Sequence, residues 1–100
     1  PKHVQYSAAK AGIIGMSKAL AKEVAPYGIN VNVIAPGVID TPFLNALKKT
    51  PEIIETAVKN IPLGRMGKVE EVSELVLFLC SENAAFITGQ VISPNGGYVI

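Results

Sequence analysis

The sequence predicts an α/β fold in which a parallel sheet is covered by helices. Three observations predict it. A long helix passes directly into a short strand rich in β-branched residues. That strand is mostly apolar, as strands covered on both faces are. A second amphipathic helix then leads into another short apolar strand, so helix and strand alternate along the chain.

The first helix is expected over residues 5–27. Ala9, Ile13, Met16, Leu20 and Val24 recur in steps of three and four, marking one helical face. Ala8, Gly12, Gly15 and Ala19 form a second stripe of small residues only. Each Gly costs about 1 kcal/mol of helix propensity against Ala, which close approach of another backbone usually offsets. The helix is therefore expected to be buried on more than one side, against a sheet and a partner helix. Lys18, Lys22 and Glu23 leave a narrow wet strip. Pro26 and Gly28 end the helix, with Gly as the left-handed cap.

Residues 29–35, Ile-Asn-Val-Asn-Val-Ile-Ala, read as the strand, and Pro36-Gly37 stops it. In parallel sheets of this kind ligands bind beyond the carboxyl ends of the strands. Residues 36–41 occupy that position. Asp40-Thr41-Pro42 and Thr50-Pro51-Glu52 each place a capping residue before a proline, so two short helices are expected, at 43–49 and through about Asn60. A helical pair after a strand end is either a lid over substrate or a surface hairpin. Phe43, Leu44, Leu47 and Ile53 would meet an apolar group if it is a lid, or are simply core.

Residues 61–67 read as a loop. Val69, Val72, Leu75, Val76, Leu79 and Cys80 mark an amphipathic helix over 68–81, with Cys80 expected as a small core residue. A last strand is expected at 90–93, a turn at Pro94-Asn95-Gly96-Gly97, and an apolar tail at 98–100 that packs on the body or a partner.

Composition narrows the function. The 100 residues are 49% hydrophobic and 17% charged, against about 25% charged in average proteins. A net charge of +1 points to neither nucleic acid nor a membrane surface as partner. The single cysteine cannot form an intrachain disulfide, and a reducing, cytoplasmic setting is the simple expectation. No apolar run reaches the length of a membrane span, and no signal peptide is read at the N-terminus. Starting on Pro rather than Met suggests a fragment or processed product. No metal-ligand cluster, carboxylate pair at catalytic spacing or phosphate-binding Gly-rich loop is found.

The chemistry-bearing stretch is Tyr6-Ser7-Ala8-Ala9-Lys10. Four residues apart on a helix, Tyr6 and Lys10 share one face. An ammonium held within about 4–6 Å of a phenol favours its charged form. That lets the phenol exchange a proton near neutral pH. Taken alone, the spacing more often means a helix-start Tyr and a Lys reaching to solvent, since it is common by chance.

The ordered set of motifs tips this balance. It comprises Tyr6-Ser7-Ala8-Ala9-Lys10-Ala11-Gly12, residues 29–37 with Thr41, Pro62-Leu63-Gly64-Arg65, the Glu70-Glu71-Val72 helix with Phe78-Leu79, and Ile87-Thr88-Gly89-Gln90. Together they resemble the C-terminal part of the short-chain dehydrogenase/reductase family, closest to its β-ketoacyl-acyl carrier protein reductase-like branch. The resemblance implies a Rossmann-like doubly wound parallel sheet, represented here by long helix, strand, two-helix lid, helix and strand. It implies interconversion of a ketone and a secondary alcohol by hydride transfer with NADP or NAD. Tyr6 would be the acid/base, and Lys10 would assist it and hold the nicotinamide ribose. Pro36, Gly37, Ile39 and Thr41 would meet the nicotinamide end. The partners implied are a small carbonyl or alcohol substrate, which could be an acyl thioester, and further copies of the chain. Homodimers or homotetramers would form through helices 5–27 and 68–81. Lys48, Lys49 and Arg65 could meet a phosphopantetheine carrier or coenzyme A, or form a solvated face.

Two departures stand out. The dinucleotide-binding half, with the Gly-rich loop, an Asn and the substrate-orienting Ser, is expected before residue 1, so the chain alone is expected to be inactive. Asn95 stands where the family often has Asp. A non-catalytic structural or assembly module is the alternative reading.

Overall fold

A computed structural model describes residues 2–98, with the side chains of Lys2, Phe43, Ala46 and Leu47 outside the description. The chain forms two compact units. Residues 2–33 with Phe78–Ile92 make the first; Ile34–Leu77 with residues 93–98 make the second.

The first unit opens with helix α1, Lys2–Val24. It starts three residues earlier than the apolar period indicates, because His3 and Val4 continue the turn ahead of the alanine-rich run. A 3-10 turn, Ala25–Tyr27, follows with Pro26 inside it, and Gly28 closes it in the left-handed conformation at φ 75°. The Gly28 N–H donates to Ala25 O at 2.9 Å. The cap therefore sits where the sequence places it.

The strand expected at 29–35 is largely replaced by side-chain bonding. Ladder geometry is confined to β1, Val33–Ile34, which pairs with β4, Val91–Ile92. Before it, Asn30 Nδ2 donates to Ala84 O and Ala85 O at 3.4 and 3.1 Å. The Val31 N–H donates to Thr88 Oγ1 at 3.0 Å, and Val31 O accepts from the Gly89 N–H at 2.7 Å. Asn32 bridges twice: Nδ2 donates to Ile87 O and Oδ1 accepts from the Gln90 N–H, both at 3.1 Å. Asparagine amides thus do here what backbone ladders do in a regular strand. The last strand is shorter than the expected 90–93: Gln90 O still accepts from the Val33 N–H at 2.8 Å, but its N–H donates to the Asn32 side chain.

The second unit contains an unexpected strand pair. β2, Ile39–Asp40, and β3, Gly67–Lys68, run parallel, with Ile39 opposite Gly67 and Asp40 opposite Lys68. Ile39, Asp40 and Gly67 lie in stretches read as loops and Lys68 at the expected start of the helix 68–81, because two-residue strands carry no periodicity to detect. Residues Pro42–Lys49 wind as a 3-10 helix rather than an α-helix. Helix α2, Pro51–Lys59, starts at its proline as expected. Thr50 precedes it without a side-chain cap bond; Pro51 leaves one fewer unpaired N–H in the first turn, and the Ile53 N–H donates to Thr50 O at 3.1 Å. Helix α3, Val69–Leu79, runs from the second unit into the first. Cys80 lies just past its end and is exposed, which corrects the expectation of a core cysteine.

Burial is sparse. The buried apolar residues are Ala21 and Ala84 in the first unit and Ile61 in the second. The expectation that α1 is covered on two sides fails within the described chain. Ile13, Met16 and Leu20 are exposed, and no atom lies within 4 Å of where side chains at Gly12 and Gly15 would start. Val69, Val76, Leu77 and Phe78 of α3 are exposed too. Both helices turn apolar faces that nothing among the described residues covers. The tail positions Val99 and Ile100 lie outside the described residues.

Asn32→Ala removes a donor and an acceptor at once and leaves Ile87 O and the Gln90 N–H unmatched. A loss of about 1–3 kcal/mol is expected from urea unfolding. A change under about 0.5 kcal/mol, the size of an ordinary surface substitution, would contradict the bridging role.

Candidate functional site

In the first unit, Tyr6 and Lys10 stand one helical turn apart on α1, about 6 Å along its axis. Ala8, Ala9 and Ala11 around them are strong helix formers, so the register between the two is set locally. The Tyr6 side chain is 66% exposed, and Lys10 is half-buried. A phenol so placed is open to approach by a solute. Ser7 is exposed on a different helical direction.

In the second unit, the remaining candidates divide into two roles. Pro36, Ile39 and Thr41 line one wall of a pocket of about 290 Å³. Val69, Val72 and Val76 form the facing wall on α3, with Ser73 among them. The lining is almost wholly apolar, and the Ser73 hydroxyl donates to Val69 O at 3.2 Å. Gly37 is not part of this wall. Its N–H donates to Pro94 O at 3.2 Å, and a Cβ there would lie 2.8 Å from the Cα of Asn95. Glycine is required at 37 because the 94–95 backbone passes too close for any side chain.

Arg65 and Glu71, not expected as a pair, hold the start of α3. Arg65 Nη1 and Nη2 donate to Glu71 Oε1 and Oε2 at 2.7 and 2.9 Å. Glu71 Oε1 also accepts from the Lys68 N–H at 2.9 Å. Lys68 directly precedes the helix and Glu71 is its third residue. This is one half of a capping box, with Lys in the place where Ser or Thr is usual. The signal was present in the sequence as two acidic residues in the first turn, Glu70 and Glu71. The Arg65 hydrogen bonds, followed by the Lys68 N–H, hold the Glu71 carboxyl well below its ordinary 4.5, at about 2. Glu71 in turn raises the Arg65 guanidinium. Lys48 reaches Asp40 at 2.6 Å, tying the 3-10 segment to β2. Of the three cations considered for a phosphate-bearing substrate, Lys48 and Arg65 are thus engaged within the chain.

Among the described residues no His, Cys, Asp and Glu cluster could hold a metal. None of their helices is long and apolar enough to cross a membrane.

Helices alternating with short strands, one pair of them parallel, make this an α/β chain. The chain belongs to the short-chain dehydrogenase/reductase family: the family described as enoyl-(acyl carrier protein) reductase matches residues 1–99. Within it the chain resembles the β-ketoacyl-acyl carrier protein reductase branch. It is 50% identical to the 3-oxoacyl-[acyl-carrier-protein] reductase FabG of Thermotoga maritima, over all of this chain and 40% of that protein. It is 52% identical to the acetoacetyl-CoA reductase of Rhizobium meliloti, over 94% of this chain and 39% of that protein. Among solved structures it matches an Agrobacterium tumefaciens protein assigned as a 2-deoxy-D-gluconate 3-dehydrogenase and solved with bound NADP. That match has a TM-score of 0.85 at 40% identity and covers 93% of this chain and 38% of the other. The chain therefore spans about two fifths of the length of its relatives. Its fold is that of the C-terminal part of a Rossmann-like doubly wound parallel sheet.

The depressed Glu71 value gives a pH signature with a defined sign. Its folded value lies below the unfolded one, so its contribution to stability is complete above about pH 4.5 and is lost as pH falls towards 2. Acid unfolding of the chain should contain a component in that window that Glu71→Gln lacks. A Glu71 carboxyl found by NMR to titrate at its ordinary value would contradict the Arg65 and Lys68 bonds.

Proposed function

We propose that the chain is the proton-transferring and substrate-lid portion of an NADP(H)-dependent reductase that converts a 3-oxoacyl thioester to its 3-hydroxy form. The observation that carries this reading is an accessible Tyr6 one turn from a half-buried Lys10 on α1. The names of the relatives support the substrate class, an acyl thioester on a carrier protein or coenzyme A. The NADP bound in the matched structure supports the cofactor.

Each unit, taken by itself, offers groups toward such a cofactor. Lys10 offers ammonium donors for ribose hydroxyls. In the second unit, the almost wholly apolar pocket that Thr41 helps to line suits the face of a flat ring. The reduced nicotinamide, when bound, supplies the hydride. In the proposed reduction, the Tyr6 hydroxyl donates its proton to the carbonyl oxygen as that oxygen becomes negative. In the reverse direction the Tyr6 oxygen takes the proton from the alcohol. Lys10, one turn along the same helix, is the cation proposed to accompany that proton transfer. The 3-10 segment Pro42–Lys49 and α2 serve as the lid, and the Asp40–Lys48 ion pair ties the lid's start to the strand end. The setting proposed is the cytoplasm.

The chain contains no Gly-rich strand-to-helix turn for the cofactor's phosphates. By itself it should therefore oxidise no NADPH above buffer when mixed with acetoacetyl-CoA. Turnover in that mixture would overturn this part of the proposal. A second reading, assembly of copies, is favoured by the open Ala8-Gly12-Gly15-Ala19 stripe on α1. Light scattering that gives one concentration-independent monomer would count against it.

Grafted in place of the matching segment of the Thermotoga maritima reductase, the chain should support NADPH-dependent reduction of acetoacetyl-CoA. In that chimera Tyr6→Phe is expected to lower kcat about 10²–10⁴-fold, the usual contribution of a positioned general acid. A Tyr6→Phe chimera within about threefold of its parent is well short of that range and would remove Tyr6 from the chemistry.

A further inference from the structure

Asn95-Gly96-Gly97 forms a turn in which the geometry points to a self-modifying site, independent of the reductase reading. Asn95 Oδ1 accepts from the Gly97 N–H at 2.9 Å. Gly96 and Gly97 both adopt positive φ, 63° and 89°. Neither carries a Cβ that would shield the Asn95 side chain from its own backbone. Among the described residues no hydrogen bond holds the Gly96 N–H, whereas Gly96 O is held by the Leu63 N–H at 3.1 Å.

We propose that Asn95 is a site of spontaneous deamidation promoted by this turn. The Gly96 backbone nitrogen, losing its proton to hydroxide or a buffer base, attacks Asn95 Cγ. A new C–N bond forms and negative charge gathers on Oδ1. The Gly97 N–H already points at that oxygen, so it meets the charge where it develops, as a donor does for any tetrahedral intermediate of acyl transfer. Collapse breaks the bond from Cγ to the side-chain nitrogen, which takes up a proton and leaves as ammonia. The product is a five-membered cyclic imide. Water then opens either imide carbonyl, giving aspartate or, with one extra backbone methylene, isoaspartate. No oxidant or reductant takes part.

The other asparagines lack the arrangement. Asn30 and Asn32 have their side-chain amides engaged with Ala84, Ala85 and Ile87, and each precedes a β-branched valine. Asn45, Asn60 and Asn83 precede Ala, Ile and Ala. The consequence of reaction at Asn95 is local and specific. Pro94 O holds the Gly37 N–H and the Asn95 Cα lies against Gly37, so an added methylene at 95 displaces the backbone that shapes residues 36–37.

The test is peptide mass spectrometry on the whole chain aged at mildly alkaline pH, in buffer and in concentrated urea, with Asn95→Gln as a parallel sample. The expected result is a mass gain equal to NH exchanged for O at Asn95 and at no other asparagine, with isoaspartate among the products. It should accumulate faster in buffer than in urea and be lost in Asn95→Gln. A rate in buffer equal to or below that in urea would overturn the proposal, because the turn would then give no promotion. So would an unmodified Asn95, or modification spread over the other asparagines.

Discussion

Two asparagine side chains hold the first unit together. Asn30 and Asn32 reach segments more than fifty residues away in sequence and bond to backbone groups of residues 84–90. With the backbone bonds of Val31 and Val33 to Gly89 and Gln90, they secure the segment against which Ala21 of α1 is covered. The same economy governs the second unit. A two-residue parallel pair, one close glycine approach at Gly37 and one bidentate Arg65–Glu71 contact fix where the strand-end loop and the start of α3 lie. Each such bond contributes only about 1 kcal/mol net, so the arrangement depends on their being made together.

The apolar surface left over is as informative as the bonds. A chain with 49% hydrophobic residues encloses few of its large side chains: Met16, Leu20, Leu77 and Phe78 all meet solvent. Contiguous apolar faces of this kind are where further polypeptide packs. The two helices that carry them, α1 and α3, are also those that flank the candidate residues: Tyr6 and Lys10 on one, and the valine wall facing Thr41 on the other. The helices that carry the candidate residues are therefore the ones with exposed apolar side chains.

What the sequence discloses follows from the range of the interactions. The Gly28 cap, the proline start of α2 and the spacing of Tyr6 and Lys10 depend on neighbours within a few residues, and all are where the residues place them. The replacement of strand 29–32 by asparagine bonding is not legible, because Asn30 and Asn32 bond to partners that only the fold brings near. β2 and β3 are too short to show a period. The exposure of α1 is not legible for a different reason: its small-residue stripe suits close packing but does not say whether the described residues supply the packing element. At the candidate site, Thr41 and Ile39 could be placed at a strand end from sequence. The division of labour between them and Gly37, which serves a close backbone approach, needed coordinates. Arg65 and Glu71 were visible only as separate members of two motifs.

The functional reading joins one exposed phenol to a family whose relatives are named as thioester reductases. The most direct measurement is a crystal structure of the chimera with NADP and an unreactive 3-oxoacyl thioester analogue. Tyr6 Oη is expected within hydrogen-bond reach of the ketone oxygen, about 2.6–3.2 Å, with Lys10 Nζ on the ribose hydroxyls. A ketone oxygen bound by other groups, with the Tyr6 ring turned to solvent, would contradict the assignment of Tyr6 as the acid.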